Sequence, residues 1–292
     1  MIRQRSDEER VVILSVSAGY EALEDAGLSI PLVDGDRAGV VLGTAIGGGD
    51  EAAKGVKVIN EEGYKKLSPS VLAASLPNIL AHYLSYYVGP TGYISTISTA
   101  CASGAPAIGE AAEVIRRGGF KAMICPALLP AFFAMRASSL YNGDPATACR
   151  PFDVTRDGLV LGEGCAVYVL ERLTHARARG ARIYAEILGQ ASSSDAYHVA
   201  QPDPDGKGAA RVMTWALQDA GLRPGLRTQC RPPARGAVLN QEFVRFRRPE
   251  RVPGLRRLQL IPSLPTVERV TPDARITSPH ILSMTLEKRS SE

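Results

Sequence analysis

The sequence holds one tryptophan and four histidines among its 292 residues, and its five cysteines (Cys101, Cys125, Cys149, Cys165 and Cys230) are widely spaced. No C-x-x-C pair occurs and the cysteine count is odd, so neither a zinc site nor a disulfide framework is expected. Long apolar runs are missing too: nothing approaches the roughly 18 to 20 uninterrupted residues that a membrane-crossing helix needs. The charged start, Met1 to Glu8, lacks the apolar stretch of a secretory signal. A cytoplasmic protein with reduced thiols, no metal and no cofactor is the expectation.

What is present is a 45% hydrophobic chain, enough apolar residues for a sizeable core in one large domain or two smaller ones. The net charge of +4 is small and uneven, with most of the basic excess beyond Pro224. Residues 11–27 read as a helix, with Val12, Leu14, Ala18, Ala22 and Leu23 on one face and Asp25-Ala26-Gly27 as its stop. Residues 39–43 read as a buried strand, followed by the glycine-rich stretch 43–49. That stretch has neither a G-K-[ST] nor a G-x-G-x-x-G pattern, which leaves little case for a phosphate loop.

One helix is predicted over 68–88, with Leu72, Leu76, Ile79 and Leu80 recurring on a face. Strands are predicted at 93–99, 121–125 and 183–188, and helices at 102–117, 171–179 and 208–220. Alternation of this kind indicates an α/β fold with a largely parallel sheet. Beyond residue 225 arginine and proline become dense and helical periodicity is lost, so a boundary is placed near Pro224. Residues 1–224 form the first unit and 225–292 an Arg/Pro-rich, poorly ordered tail; only 258–264 reads there as a strand.

The most informative local feature is Ile97-Ser98-Thr99-Ala100-Cys101-Ala102-Ser103-Gly104. A strand leads into a cysteine, and a helix of small residues follows. A thiol at a helix N-terminus is expected to have a lowered pKa, and the nearby N–H groups suit an oxyanion hole. Small neighbours let a carbonyl approach, so acyl transfer through a thioester fits. A buried cysteine at a strand–helix junction is the competing reading.

The segment 98–104, with Ala107-Ile108-Gly109-Glu110-Ala111, resembles the active-site region of β-ketoacyl-[acyl-carrier-protein] synthases. So do Arg150-Pro151-Phe152-Asp153, Arg156-Asp157-Gly158, Gly162-Glu163-Gly164, residues 171–180 and Ser194-Asp195-Ala196-Tyr197-His198. The resemblance runs over roughly residues 8 to 224. It implies the N-terminal half of a thiolase-like fold, a homodimer, and an acyl carrier protein as partner, with neither nucleic acid nor membrane. It also implies decarboxylative condensation with Cys101 as the acyl-accepting nucleophile. Ile46 matches the segment near the acyl channel, and His198 a loop near the active-site entrance.

The chain departs from the family pattern in lacking the H-G-T motif, the later G-H segment and the lysine-containing S-x-x-K-S-like stretch. The four histidines, His82, His175, His198 and His280, match none of the family's catalytic ones. Cys125-Pro126-Ala127-Leu128-Leu129-Pro130 stands where relatives have a glycine pair and a glutamate. Impaired condensation is therefore expected, and the tail reads as a shifted frame or truncated product. The alternative is an inactive remnant that dimerises or binds the carrier protein.

Overall fold

The computed structural model of the chain describes residues 10–118, 120–128, 139–150, 153–158, 160, 164–198, 201–222, 240–247 and 282–286. Cys230, His280, the boundary at Pro224 and residues 258–264 lie outside the described residues.

In chain order the elements are α1 (Arg10–Asp25), β1 (Ala38–Thr44), α2 (Gly49–Glu62), α3 (Ser70–Ala74), α4 (Ile79–Val88) and β2 (Ile94–Ile97). There follow α5 (Gly104–Arg116), β3 (Ala122–Leu128), α6 (Pro145–Ala148), β4 (Ala166–Arg172), α7 (Leu173–Ala178), β5 (Ala185–Ser194) and α8 (Lys207–Asp219). Two later strands, β6 (Asn240–Arg247) and β7 (Leu282–Leu286), complete a seven-stranded sheet in the order β2-β1-β3-β4-β7-β5-β6. The sheet is mostly parallel, as the alternation predicts; β3–β4 and β5–β6 are its antiparallel pairs.

Every residue of β1 is buried, because helices cover both of its faces. Val40 and Leu42 point to a core shared with Val12, Val16 and Leu23 of α1 and Leu80 and Leu84 of α4. Val41, between them, points to the opposite core with Ala107, Ala111 and Ile115 of α5. The two-residue period of a strand thus divides one short apolar run between two layers. β1 is the centre of a three-layer stack, and α5 is the helix behind its outer face.

Several boundaries differ from expectation, the strand expected at 183–188 running on to Ser194 among them. The single helix over 68–88 is two, because Leu76-Pro77-Asn78 interrupts it: proline withholds an N–H and disfavours helix at the residue before it. Leu72 and Leu76, assigned to a packed face, are exposed. Glu171 and Arg172 end β4 rather than begin a helix. Pro126, in the stretch that departs from the family pattern, lies within β3. The β1–β3 ladder skips from Val40↔Ile124 to Gly43↔Ala127, while β4 keeps its register across the proline.

Glu171 is fully buried at the strand end, where a carboxylate survives only if paired. Arg179 grips both of its oxygens, with Nε at 2.9 Å from Oε1 and Nη2 on Oε2, and His175 Nδ1 lies 2.8 Å from Oε1. Arg179 Nη1 also donates to the Ala26 carbonyl at 2.6 Å, fastening the end of α1 to the β4–α7 corner. Arg179→Met strands the buried carboxylate, so urea unfolding should show a loss of about 3 kcal/mol or more. A loss no larger than that of an exposed arginine would refute this role.

Candidate active site

β2 delivers the chain to the C-terminal edge of β1, and the polypeptide then turns sharply. Ser98 Oγ donates to the Ala45 carbonyl at 3.0 Å, tying the end of β2 to the segment after β1. Ala100 has φ +52°, the left-handed region that a residue with a Cβ enters at a cost of about 1–2 kcal/mol. A 3-10 turn, Ala100–Ala102, carries Cys101, and α5 begins at Gly104.

The buried Ser103 hydroxyl holds this elbow. It accepts the Thr99 N–H at 2.9 Å and lies 2.6 Å from the Ala100 carbonyl and 3.1 Å from the Thr44 carbonyl, to either of which its one proton can go. Gly43 makes the close approach possible. A Cβ there would meet the Ser103 carbonyl oxygen and stand 2.9 Å from Gly104 Cα. Sequence reading treated Ser103 and Gly104 as small residues that clear space; their larger task is to lock helix to strand. The only signal for it was the spacing of Ser103 from Thr99, four residues apart.

Cys101 is a free, partly buried thiol. Burial pushes its pKa up, and its own backbone N–H offsets this only in part. The expected lowering is thus overturned. The helix proper starts three residues further on, and withdrawal from water disfavours the thiolate. Nearby, the hydroxyls of Thr96 and Thr99 are buried and have no hydrogen-bond partner among the described residues.

The other expected residues occupy separate places. Ile46 follows β1 in the glycine-rich segment, two residues from the Thr44 carbonyl that faces Ser103, and is 40% exposed. Gly47 and Gly48 press against Pro77 and Ala74, so these glycines admit neighbouring backbone rather than phosphate. His198 is exposed in the loop between β5 and α8, where its Nδ1 accepts the Gln201 N–H at 3.2 Å. That loop is drawn in by Asp195, which accepts the Asp203 N–H at 2.9 Å, and Ala196 has φ +49°. His82 is exposed on α4, and His175 faces Glu171.

The segment around Arg150 folds upon itself. Its guanidinium donates to the Thr147 and Thr155 carbonyls and to Asp157, and lies over the Tyr141 ring. The hydrogen bond from Ser139 keeps the Asp157 carboxyl below the usual range. Among the described residues no group of His, Cys, Asp or Glu is placed to hold a metal ion.

Residues 3–176 match the family model for the β-ketoacyl synthase N-terminal domain, and residues 184–226 that for its C-terminal domain. The chain is 39% identical over 224 residues to 3-oxoacyl-[acyl-carrier-protein] synthase 2 of Synechocystis, covering 74% of this chain and 54% of the relative. It is 43% identical over 235 residues to the chloroplastic 3-oxoacyl-[acyl-carrier-protein] synthase I of Hordeum vulgare, covering 76% and 50%. The chain spans about half the length of the curated relatives it matches.

Among solved structures, a β-ketoacyl synthase from Burkholderia phymatum superposes with a TM-score of 0.66 at 36% identity, covering 73% of this chain and 54% of that one. A type II polyketide ketosynthase, solved in complex with its acyl-carrier protein, gives 0.67 at 32% identity, covering 74% and 57%. The thiolase-like fold class read from sequence therefore holds for the matched part.

Two outcomes test the elbow. Because the Cys101 pKa is raised, its thiolate fraction lags that of a free cysteine at any given pH. Its iodoacetamide labelling should still be climbing above about pH 9.5, where a cysteine peptide approaches its plateau; an early plateau contradicts the burial argument. Ser103→Ala removes the acceptor for Thr99 N–H and should cost about 1–3 kcal/mol in denaturant unfolding. An unchanged midpoint would mean that the hydroxyl holds nothing.

Proposed function

The chain belongs to the β-ketoacyl synthase family, and on that footing we propose that Cys101 accepts an acyl group from an acyl carrier protein. The observation that carries this reading is the free thiol on the strained Ala100 elbow, braced from below by Ser103 and open to solvent on one side. The sulfur attacks the thioester carbonyl, and the carrier thiol departs with the proton. Backbone N–H groups at the head of α5 supply donors for the oxyanion. The Thr99 hydroxyl, without a partner among the described residues, gives the site a further polar group, since leaving one unmet in a protein interior costs about 1–3 kcal/mol.

The raised thiol pKa does not oppose this. A thiol that ionises reluctantly reacts once a bound thioester is held against it, and proximity substitutes for bulk thiolate concentration. Ile46 lines the path of the acyl chain, and His198 stands at the entrance. The second step joins the acyl group to the carbanion left when a malonyl thioester loses carbon dioxide. That step is impaired in this chain, because His82 lies exposed on α4, His175 is bonded to Glu171 and the family's two histidine motifs are not found in the sequence. General acid–base help of this kind is worth about 10²–10⁴-fold.

The active unit is a homodimer. β2 is the outer strand of the sheet and only half buried, and Val56 and Ile59 of α2, Leu72 of α3 and Leu76 just after it expose apolar surface. Relatives carry names from both fatty-acid and polyketide synthesis, and the reading covers either. The thiols of Cys101, Cys149 and Cys165, none of them in a disulfide, suit the reducing cytoplasm.

The test is to incubate the full chain with an acyl carrier protein thioester and follow its intact mass. A single acyl adduct that maps to Cys101 and disappears in Cys101→Ala is expected. Adding malonyl carrier protein should then yield ketoacyl product at trace level only. An adduct that persists in Cys101→Ala overturns the assignment, and rapid turnover overturns the impairment.

A further inference from the structure

Two donors of Ser103 converge on one acceptor. Its hydroxyl lies 2.6 Å from the Ala100 carbonyl oxygen, and its backbone N–H donates to the same oxygen at 3.2 Å. The Thr44 carbonyl is the other acceptor within reach of the hydroxyl, but its 3.1 Å is long for an O–H···O bond, so the proton goes to Ala100. The hydroxyl also accepts the Thr99 N–H at 2.9 Å. A hydroxyl that accepts one hydrogen bond donates a stronger one, because each bond in a chain polarises the next.

The Ala100 carbonyl belongs to the peptide unit whose N–H is that of Cys101. Drawing electrons toward the oxygen leaves this N–H more positive, and two bonds on one oxygen hold the plane of the unit. Planarity then fixes the direction in which the Cys101 N–H points. That N–H goes to no carbonyl among the described residues, and it lies against the sulfur of its own residue. A relay therefore runs from the Thr99 N–H through the Ser103 hydroxyl and the Ala100–Cys101 peptide to a donor beside the nucleophile. Ser103 itself is only 3% exposed, so it acts through that peptide and not on a substrate.

We propose that Ser103 is a positioning residue for acyl transfer: by polarising and orienting the Ala100–Cys101 peptide, it sets the Cys101 N–H to meet the oxyanion formed when the sulfur attacks a thioester. This role rests on the acyl-transfer reading above and goes beyond bracing the elbow, since a brace alone gives no selective effect on one reaction of the thiol. In the transfer the Cys101 sulfur bonds the carbonyl carbon and the C=O electron pair moves onto oxygen. The pair returns as the C–S bond to the departing thiol breaks, and the Cys101 proton leaves with that thiol. Charge on the oxygen exists only between those two events, so a donor aimed there acts on the rate of transfer. Alkylation by iodoacetamide displaces iodide at a tetrahedral carbon and develops no such oxyanion.

The experiment compares two rates at Cys101 in the full chain, acylation by acetyl-pantetheine and alkylation by iodoacetamide, each followed by intact mass. Ser103→Ala should lower the acylation-to-alkylation ratio by about three- to tenfold, a fraction of the roughly 10²–10³ that a whole oxyanion donor is worth. A loss of folded protein or of thiolate slows both reactions together, so an unchanged ratio overturns the inference while leaving acyl transfer intact. Should Ser103→Ala fail to fold, Ser103→Cys, which keeps the shape and weakens the side-chain hydrogen bonds, must lower the ratio in the same direction. A ratio that does not fall in that variant overturns the inference as well. If the unsubstituted chain is alkylated at Cys101 but takes up no acetyl group, the acyl-transfer reading falls, and the role of Ser103 falls with it.

Discussion

Everything around the thiol depends on how closely the start of α5 is pressed to the end of β1. The contact has no side chain on the strand side, because Gly43 gives its Cβ space to the Ser103 and Gly104 backbone. The hydroxyl of Ser103 then fills the gap between strand and turn, satisfying Thr99 N–H from one side and a carbonyl of Ala100 or Thr44 from the other. Backbone strain at Ala100 persists only where surrounding structure over-determines it. Here the restraint is a single buried hydroxyl and a single missing methyl, both lying outside the reacting group.

That local junction needs a rigid foundation, and the sheet supplies it. β1 is the strand from which the core is divided, with Val40 and Leu42 facing α1 and α4 and Val41 facing α5. A shift of one residue in its register would exchange the two cores, so apolar burial holds the strand in place. The Glu171–Arg179 pair does the equivalent at the far end of β4, with Arg179 reaching the Ala26 carbonyl just past α1. Its burial makes it poor as a source of net stability but demanding in its geometry, since either partner left alone is costly. Packing sets the layers, and polar contacts fix where their ends meet.

Much of this was legible in the sequence, for identifiable reasons. The strand at β1, the cysteine behind β2 and the small-residue helix after it were readable because each occupies a contiguous run with its own period. The break at Pro77 was overridden by a persuasive apolar repeat; Leu72 and Leu76 kept the helical spacing but belong to an exposed face. Glu171 read as the opening of a helix because a charged residue beside Arg172 suggests solvent, and nothing nearby announces that Arg179, eight positions on, will neutralise it. The thiol was misjudged for a related reason. Proximity to a helix start is visible in sequence, whereas the burial that pushes its pKa the other way is a property of the folded packing.

The same distinction explains why the glycine-rich segment reads so poorly. Glycine-rich stretches suggest phosphate because many such loops leave backbone N–H groups free for a ligand. Here the Gly47 N–H is taken by Thr44, and the space beside Gly47 and Gly48 is taken by Pro77 and Ala74. The glycines are spent on packing, and the side chain they surround, Ile46, is the part of the loop left facing outward. A ligand for such a loop is therefore apolar rather than anionic. That conclusion comes from a donor taken three positions away and from space filled by residues some thirty positions on, and composition cannot carry it.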